Sequence, residues 1–280
     1  MRFLILALMV LISNLTYALT NSTVADAPEF ESIVFFNTDA RDPSTGDKSE
    51  GFCNGSLLSN KLMITAAHCV TDAQAMNSNR IHLEVGRYIW VKRKIDGKMV
   101  RVGYGRYLAQ DSTAQFYFGN DLSQNLSTLS VSTDLGPDQD FAVVLLAQPL
   151  SLPAGFQYAH LASQNDFSQL TSSSLSGLMV ASVNPFANIS SSDSKRYAVL
   201  DNLQWDGSFF KSNSTSRLEE GDSGSPLYLK TASGLQIAGV VKGRGQNFFG
   251  DWDAFAPAVP LACQIAQNIS DLTVSSLLCH

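Results

Sequence analysis

The sequence predicts an all-β fold in which short strands form a barrel or a sandwich. Three observations predict this fold. Short apolar runs of strand type recur along the 280 residues, clusters of turn residues separate them, and only residues 259–278 show helical spacing of apolar side chains. No fixed repeat occurs, so a solenoid or propeller is not indicated. At 45% hydrophobic residues, the chain can bury a substantial core.

The predicted strands begin at residue 32 and alternate with polar loops. We expect strands at residues 32–37, 62–65, 81–90, 100–107, 141–147, 178–183, 197–203, 227–230 and 235–242. Asp96-Gly97 predicts a two-residue hairpin turn before the strand at residues 100–107. Residues 111–137 are rich in Ser, Asn, Gly and Asp, which predicts a long surface loop.

The N-terminus predicts export. Arg2 supplies a positive charge, and residues 3–12 form an apolar run that is too short to span a bilayer. Residues 16–18 read TYA, with small residues at both ends, as a signal-peptidase site requires. We therefore expect a signal peptide over residues 1–18, cleaved after Ala18. Residues 19–31 are polar, and we expect a leader or propeptide there.

Composition and charge restrict the partners. The formal net charge is −6, and no basic stripe or block of like charges occurs, so nucleic acid is not a predicted partner. No segment after the signal is apolar for long enough to cross a membrane. We expect a secreted or periplasmic protein that is free of the membrane once the signal is removed, and that is a monomer.

The four cysteines fit an oxidising compartment. Cys53 and Cys69 lie 16 residues apart, as do Cys263 and Cys279. Three pairings are possible, and pairing within each cluster is favoured because it closes the shortest loops. No CxxC pattern occurs and the four histidines lack ligand spacing, so no metal site is predicted.

Residues 219–226, which read EEGDSGSP, place Ser223 between two glycines and just after an acid. A serine hydroxyl is a weak nucleophile unless a base takes its proton, and the resulting oxyanion needs preorganised donors. Gly221 allows the backbone to approach closely, so the N–H groups of Gly221 and Ser223 can point at one oxygen. The alternative is a polar turn that closes a hairpin.

Two residues upstream of this stretch complete a catalytic pattern. His68, in TAAHC, is a base suited to neutral pH. Asp140 precedes a run of apolar residues, where a carboxylate is costly to bury unless it is paired, and it can fix the tautomer of a histidine. Taken singly, His68 could be a structural histidine near a disulfide, and Asp140 a strand cap that Asp138 could replace.

The motifs TAAHC and GDSGSP resemble the two signature motifs of the trypsin/chymotrypsin-like serine endopeptidases, and DFAV at residues 140–143 is similar to that family's third motif. The order His, Asp, Ser is also the order of that family. The resemblance implies two antiparallel six-stranded β-barrels and a short C-terminal helix. It implies that the cleft between the barrels holds His68, Asp140 and Ser223, with no cofactor.

The resemblance extends to residues 52–57, FCNGSL, where the family carries a cysteine that bridges to the cysteine beside the histidine. This implies the pair Cys53–Cys69. The match runs from about residue 33 to the C-terminal helix, so residues 32–280 are the expected protease domain. Asn54 also begins an Asn-x-Ser pattern, which matters only in a glycosylating host.

The substrate pocket departs from the family pattern. Arg217 stands six residues before Ser223, where trypsin-like enzymes carry an aspartate that receives Lys or Arg. Lys242 and Arg244 stand where small or aromatic residues normally line the pocket. Three cations favour an acidic P1 side chain, because guanidinium groups bind carboxylates bidentately. The alternatives are that these side chains point to solvent, or that Arg217 pairs with a neighbouring glutamate.

Activation also departs from the family pattern. In the family, a freshly cut Ile-Val-Gly-Gly terminus inserts and pairs with the aspartate before the serine, here Asp222. Ile33-Val34 is followed by two phenylalanines, and no basic residue precedes it for a tryptic cut. Either a different terminus inserts or Asp222 is satisfied internally.

The sequence thus predicts a secreted serine endopeptidase that acts on protein or peptide substrates through an acyl-enzyme on Ser223 and is made as a zymogen. Two alternatives remain open. One is a non-catalytic binding protein on the same fold, which the unusual pocket suggests. The other is an esterase, which shares the chemistry.

Overall fold

The computed structural model describes residue 19 and residues 22–25, 27–38, 52–75, 78–86, 91–95, 98–102, 106–119, 135–172, 178–183, 195–216, 218–219, 221–247 and 250–279. Three predicted features lie wholly outside these residues: the signal peptide at residues 1–18, the turn at Asp96-Gly97, and the pocket residue Arg217. Residues 87–90 and 103–105 of two predicted strands also lie outside them.

The described chain is mostly β-structure. Its strands, in chain order, are β1 (Thr23–Val24), β2 (Ile33–Thr38), β3 (Phe52–Leu57), β4 (Leu62–Thr65), β5 (Arg80–Gly86), β6 (Val91–Ile95), β7 (Lys98–Val102), β8 (Arg106–Phe118), β9 (Ala142–Leu146), β10 (Leu178–Val183), β11 (Lys195–Leu200), β12 (Leu203–Trp205), β13 (Phe210–Ser212), β14 (Pro226–Thr231), β15 (Gly234–Asn247) and β16 (Gly250–Pro257). Its α-helices are α1 (His68–Ala75), α2 (Gln164–Ser172), α3 (Ala258–Ala266) and α4 (Leu272–Leu278).

The first half of the chain forms a closed antiparallel barrel in the order β2-β3-β4-β9-β8-β5. Strands β6 and β7 form a separate two-stranded hairpin. Closure pairs every strand of the barrel on both sides, which leaves no free edge. The all-β prediction is confirmed.

Strand β2 is buried on both faces, because successive side chains of a strand point to opposite sides. Val34 and Phe36 lie in the core of the first barrel. Ile33 and Phe35 lie in a second cluster, shared with Tyr228 of β14 and with helices α3 and α4. This shared cluster joins the first barrel to the rest of the molecule.

The second half of the chain forms one curled sheet of eight strands in the order β1-β11-β10-β14-β15-β16-β13-β12. The family resemblance implied a second six-stranded barrel. The sheet described here has more strands, because β1 and β12 extend it at its two edges. Within the described residues, it does not close into a barrel.

The segment predicted as a leader or propeptide packs into this sheet. Thr23 pairs with Tyr197 across β1 and β11, and Phe30 stacks on Tyr197 with ring centroids 5.1 Å apart. The buried Lys195 Nζ donates to the Phe30 carbonyl at 2.7 Å. Leu19 is 1% exposed and lies in the core cluster of the second sheet.

The predicted surface loop at residues 111–137 is wrong for its first part. Strand β8 continues to Phe118 and pairs with both β5 and β9. Its polar residues misled the prediction because they alternate with inward-facing ones: Gln115 is exposed, while Ala114 and Phe118 are buried in the first core. Residues 120–134 lie outside the described part of the chain.

The predicted C-terminal helix is two short helices. Asp271 caps the second one by accepting hydrogen bonds from the N–H groups of Thr273 at 2.9 Å and Val274 at 3.3 Å. The disulfide Cys263–Cys279 ties α3 to the residue after α4. Over the described ranges, no helix is both long and apolar enough to span a bilayer.

Candidate active site

The loop that carries Ser223 enters strand β14 through two glycines with positive φ, Gly221 at 95° and Gly224 at 78°. A Cβ on Gly224 would lie 2.0 Å from the Asn54 carbonyl oxygen and 2.3 Å from Thr65 Oγ1. Only glycine fits there, because an added carbon would meet backbone of the first barrel as well as an unfavourable φ. This loop therefore packs directly against β3 and β4.

Among the residues that the structure describes, two backbone N–H groups of this loop have no acceptor. The N–H groups of Asp222, Gly224 and Ser225 each donate to a carbonyl, at 3.1, 2.8 and 3.1 Å. Within the described residues, those of Gly221 and Ser223 donate no hydrogen bond. Two neighbouring unoccupied donors are the arrangement that binds a developing oxyanion.

Asn54 holds the same loop from the first barrel. Its Nδ2 donates to the Gly221 carbonyl at 2.6 Å, and its backbone N–H donates to the Ser223 carbonyl at 2.7 Å. Its own carbonyl accepts from Thr65 Oγ1 at 2.7 Å. Asn54 is fully buried, so its Asn-x-Ser pattern is not accessible for glycosylation in the folded chain. The sequence pattern did not reveal this anchoring role.

His68 and Asp140 meet because their strands are neighbours. Thr65, at the end of β4, pairs with Ala142, at the start of β9. His68 begins α1 just after β4, and Asp140 lies just before β9, so both residues lie at one end of the barrel. The Nδ1 atom of His68 lies 2.7 Å from Asp140 Oδ2. The His68 backbone N–H donates to Asp140 Oδ1 at 2.8 Å.

The Asp140 carboxylate is fully buried. Burial raises its pKa, but the charge of His68, two hydrogen bonds from His68 and the charge of Lys242 together outweigh burial, so the pKa of Asp140 lies below its usual value. A buried carboxylate beside Nδ1 favours the tautomer in which Nδ1–H faces Asp140 and Nε2 carries the lone pair. The Nε2 atom lies 3.8 Å from Cys69 Sγ. Asp138, the alternative acid, is exposed.

A short path through the first barrel connects Ser223 to His68. The Ser223 carbonyl accepts from Asn54, as described above. Cys53, the neighbour of Asn54, forms a disulfide with Cys69, and Cys69 is the neighbour of His68. This bond and Cys263–Cys279 are the pairings that loop length favoured.

A second path connects the serine loop to Asp140 through β15. Gly224 donates to the Val241 carbonyl at 2.8 Å. The next residue, Lys242, places its Nζ 3.4 Å from Asp140 Oδ2. These two paths of contacts link His68, Asp140 and Ser223, the three predicted catalytic residues. Within the described residues, however, no hydrogen bond joins the Ser223 hydroxyl to His68.

Asp222 is a second fully buried carboxylate beside the serine. One oxygen accepts a short hydrogen bond from Ser182 Oγ. The other accepts from the backbone N–H groups of Glu219 at 2.8 Å and Leu19 at 3.2 Å. Burial raises the pKa of Asp222 to about 6, and these hydrogen bonds oppose the rise only in part. A cation at this carboxylate would lower that pKa.

Of the other two predicted pocket residues, Arg217 lies outside the described part of the chain and Arg244 lies within it. Arg244 is exposed on β15, and its cross-strand neighbour Asp253 on β16 is fully buried. Asp253 accepts from the backbone N–H of Leu218 at 3.3 Å, which brings an acid close to the predicted pocket. The sequence pattern revealed neither this acid nor the contact of Lys242 with Asp140.

The side chains of Cys53, His68 and Cys69 lie close enough to hold a metal ion. Both sulfurs are in a disulfide, so they offer no thiolate ligand.

Comparison with known proteins gives one family. The family model described as Trypsin matches residues 40–248, which is more than half of the chain and includes His68, Asp140 and Ser223. No curated protein matches the chain.

Proposed function

The chain belongs to the trypsin family, and from that premise we propose that it is a secreted serine endopeptidase. The observation that carries the proposal is the 2.7 Å contact of His68 Nδ1 with the buried carboxylate of Asp140. A histidine held in this way is the base that a serine nucleophile requires.

In the proposed reaction, Ser223 Oγ attacks the peptide carbonyl carbon and its proton passes to His68 Nε2. The N–H groups of Gly221 and Ser223, which have no other acceptor among the described residues, bind the oxyanion. The C–N bond then breaks, and His68 gives the proton to the leaving amine. Water, deprotonated by His68, attacks the acyl-enzyme and releases the acid product.

The test is covalent labelling of the purified protein with a fluorophosphonate, followed by mass spectrometry. We expect one adduct, on the peptide that contains Ser223. The Ser223→Ala variant should not be labelled, and its peptidase turnover should fall by at least ~10⁴-fold because no nucleophile remains. The control is Ser233→Ala, in the exposed turn after β14, which should label and turn over like the wild type. Equal turnover in Ser223→Ala would refute the assignment.

A non-catalytic binding protein on the same fold is the second candidate. The observation that favours it is the missing hydrogen bond between the Ser223 hydroxyl and His68 within the described residues. Catalytic hydrogen bonds are often long in the free enzyme and shorten when substrate binds, so the endopeptidase remains the better proposal. Labelling decides between them, because an unactivated serine does not react. Parallel assays with peptide and ester substrates separate an endopeptidase from an esterase.

We also propose a P1 preference for acidic residues, on the basis of Arg217 and the exposed Arg244. The nearby buried Asp253 opposes this preference. In a peptide panel varied at P1, we expect higher kcat/KM after Glu than after Lys. Faster cleavage after Lys or Arg would end the proposal.

Signal-peptide cleavage after Ala18 is the activating cut in our proposal, and residues 19–31 stay on the mature enzyme as a leader. Two contacts support this: the Leu19 nitrogen is 3.2 Å from Asp222 Oδ2, and the Leu19 side chain is buried in the core. Cleavage after Ala18 converts this amide into an ammonium group beside a buried carboxylate. N-terminal sequencing of the active exported form should start at Leu19. A start at or beyond residue 32 would contradict this.

A further inference from the structure

Lys242 places a cation on the carboxylate that orients the proposed general base. Its Nζ lies 3.4 Å from Asp140 Oδ2, the same oxygen that lies 2.7 Å from His68 Nδ1. The Lys242 side chain is 22% exposed, and that of Asp140 is fully buried. The two partners come from different halves of the molecule, since Lys242 lies on β15 and Asp140 precedes β9.

We propose that Lys242 is a positioning residue that sets the pH range of the enzyme, because it shares the Asp140 carboxylate with His68. The inference rests on the proposed function and adds a role that differs from binding an acidic P1 side chain.

The charges around Asp140 and Lys242 determine whether Lys242 moves the pH range of activity up or down. Asp140 faces His68 and Lys242, and the half-buried Asp72 on α1 also interacts with His68. Burial raises the pKa of Asp72. The Cys53–Cys69 disulfide beside the ring does not titrate. Among the described groups that face Asp140, Lys242 is the cation beside His68. Like charges repel, so we expect removal of Lys242 to favour the protonated His68 ring.

The first experiment measures kcat/KM as a function of pH. It compares the acid limb of this pH profile in the wild type and in Lys242→Met. We expect the limb to move to higher pH by roughly 0.5 to 1 unit when the cation is removed. Lys242→Arg should restore the wild-type limb, because it keeps the charge. Lys230→Met makes the same charge change at an exposed site on β14 and should leave the limb in place. Lys242→Gln serves if Lys242→Met does not fold.

The P1 selectivity of Lys242→Met distinguishes an effect of Lys242 on Asp140 from a role in the substrate pocket. We expect the ratio of kcat/KM for Glu and Lys at P1 to stay within about twofold in Lys242→Met, since a twofold change is smaller than the effect of one lost charge pair. An unmoved acid limb, with or without a loss of Glu preference, would overturn the proposal.

A second readout does not depend on turnover. In the Ser223→Ala background, NMR of the His68 ring gives the pH midpoint of its protonation with and without Lys242→Met. The midpoint should rise by the same roughly 0.5 to 1 unit. If the protein cleaves no substrate but this midpoint moves, the peptidase proposal fails and the electrostatic role of Lys242 stands. An unchanged midpoint overturns the role of Lys242 alone.

Discussion

At the residue scale, the buried carboxylates Asp140 and Asp222 differ in their partners. Asp140 has a histidine and a lysine beside it, which hold its pKa below the usual value despite burial. Asp222 has a hydroxyl and two backbone N–H groups, and burial raises its pKa to about 6. The difference shows that burial alone does not decide ionisation, and that the charge of the neighbours does.

Asp140→Asn should reduce kcat by roughly 10³- to 10⁴-fold with a folded protein, because an amide stabilises the wrong His68 tautomer. Steady-state kinetics and circular dichroism measure the two effects. The matched control is Asp138→Asn, two residues away and exposed, which should keep wild-type kcat. A large loss in Asp138→Asn and none in Asp140→Asn would show that the acid had been misassigned.

The raised pKa of Asp222 predicts that stability depends on pH in a chain that keeps extra residues before Leu19. The folded pKa of about 6 lies above the usual 3.8, so the folded form holds the proton more tightly than the unfolded form. The free energy of unfolding should therefore fall as pH rises from about 4 to about 6, by on the order of 2–3 kcal/mol.

Urea unfolding across this pH range measures the fall. In the chain that starts at Leu19, the ammonium group should remove most of it, and Asp222→Asn should remove it in the extended chain. Asp140 acts at lower pH, because its contribution is lost only as pH falls below about 4. Identical pH profiles for the extended and the Leu19 chains would contradict the pairing of the terminus with Asp222.

At the element scale, the serine loop depends on its approach to β3 and β4. Gly224→Ala should lower the free energy of unfolding by at least ~3 kcal/mol, because its Cβ would meet the Asn54 carbonyl at 2.0 Å. Gly155→Ala is the control: its φ of 81° matches the 78° of Gly224, but it has open space around the added carbon. It should cost only ~1–2 kcal/mol. Equal losses in chemical denaturation would show that backbone strain, and not the contact, dominates.

Some strands could be predicted from the sequence and others could not. Apolar runs such as β4 and β10 were predicted at their observed bounds, because their hydrophobic character is continuous. The short strands β12 and β13 and the aspartate-containing β16 were not predicted. They form because neighbouring strands offer partners, which is a property of the assembled sheet.

The candidate site divides in the same way. His68, Asp140 and Ser223 could be predicted because each lies in a short local motif. The Asn54 anchor and the Lys242 contact could not, because each depends on register between strands that are far apart in sequence.

At the scale of the whole molecule, the two halves are joined by a shared apolar cluster and by polar contacts, some of which lie at the candidate site. Ile33 and Phe35 of the first barrel pack in one cluster with Tyr228 of the second sheet. Asn54 reaches the serine loop, and Lys242 reaches Asp140. We therefore expect the candidate site to form only when both halves are folded and docked.

The position of Leu19 has a consequence for the cell that makes this protein. If cleavage after Ala18 is the activating cut, as we propose, a copy that keeps residues 1–18 has no ammonium group to pair with Asp222 and should be inactive. Export and activation would then be a single event. The producing cell would need no separate activating protease.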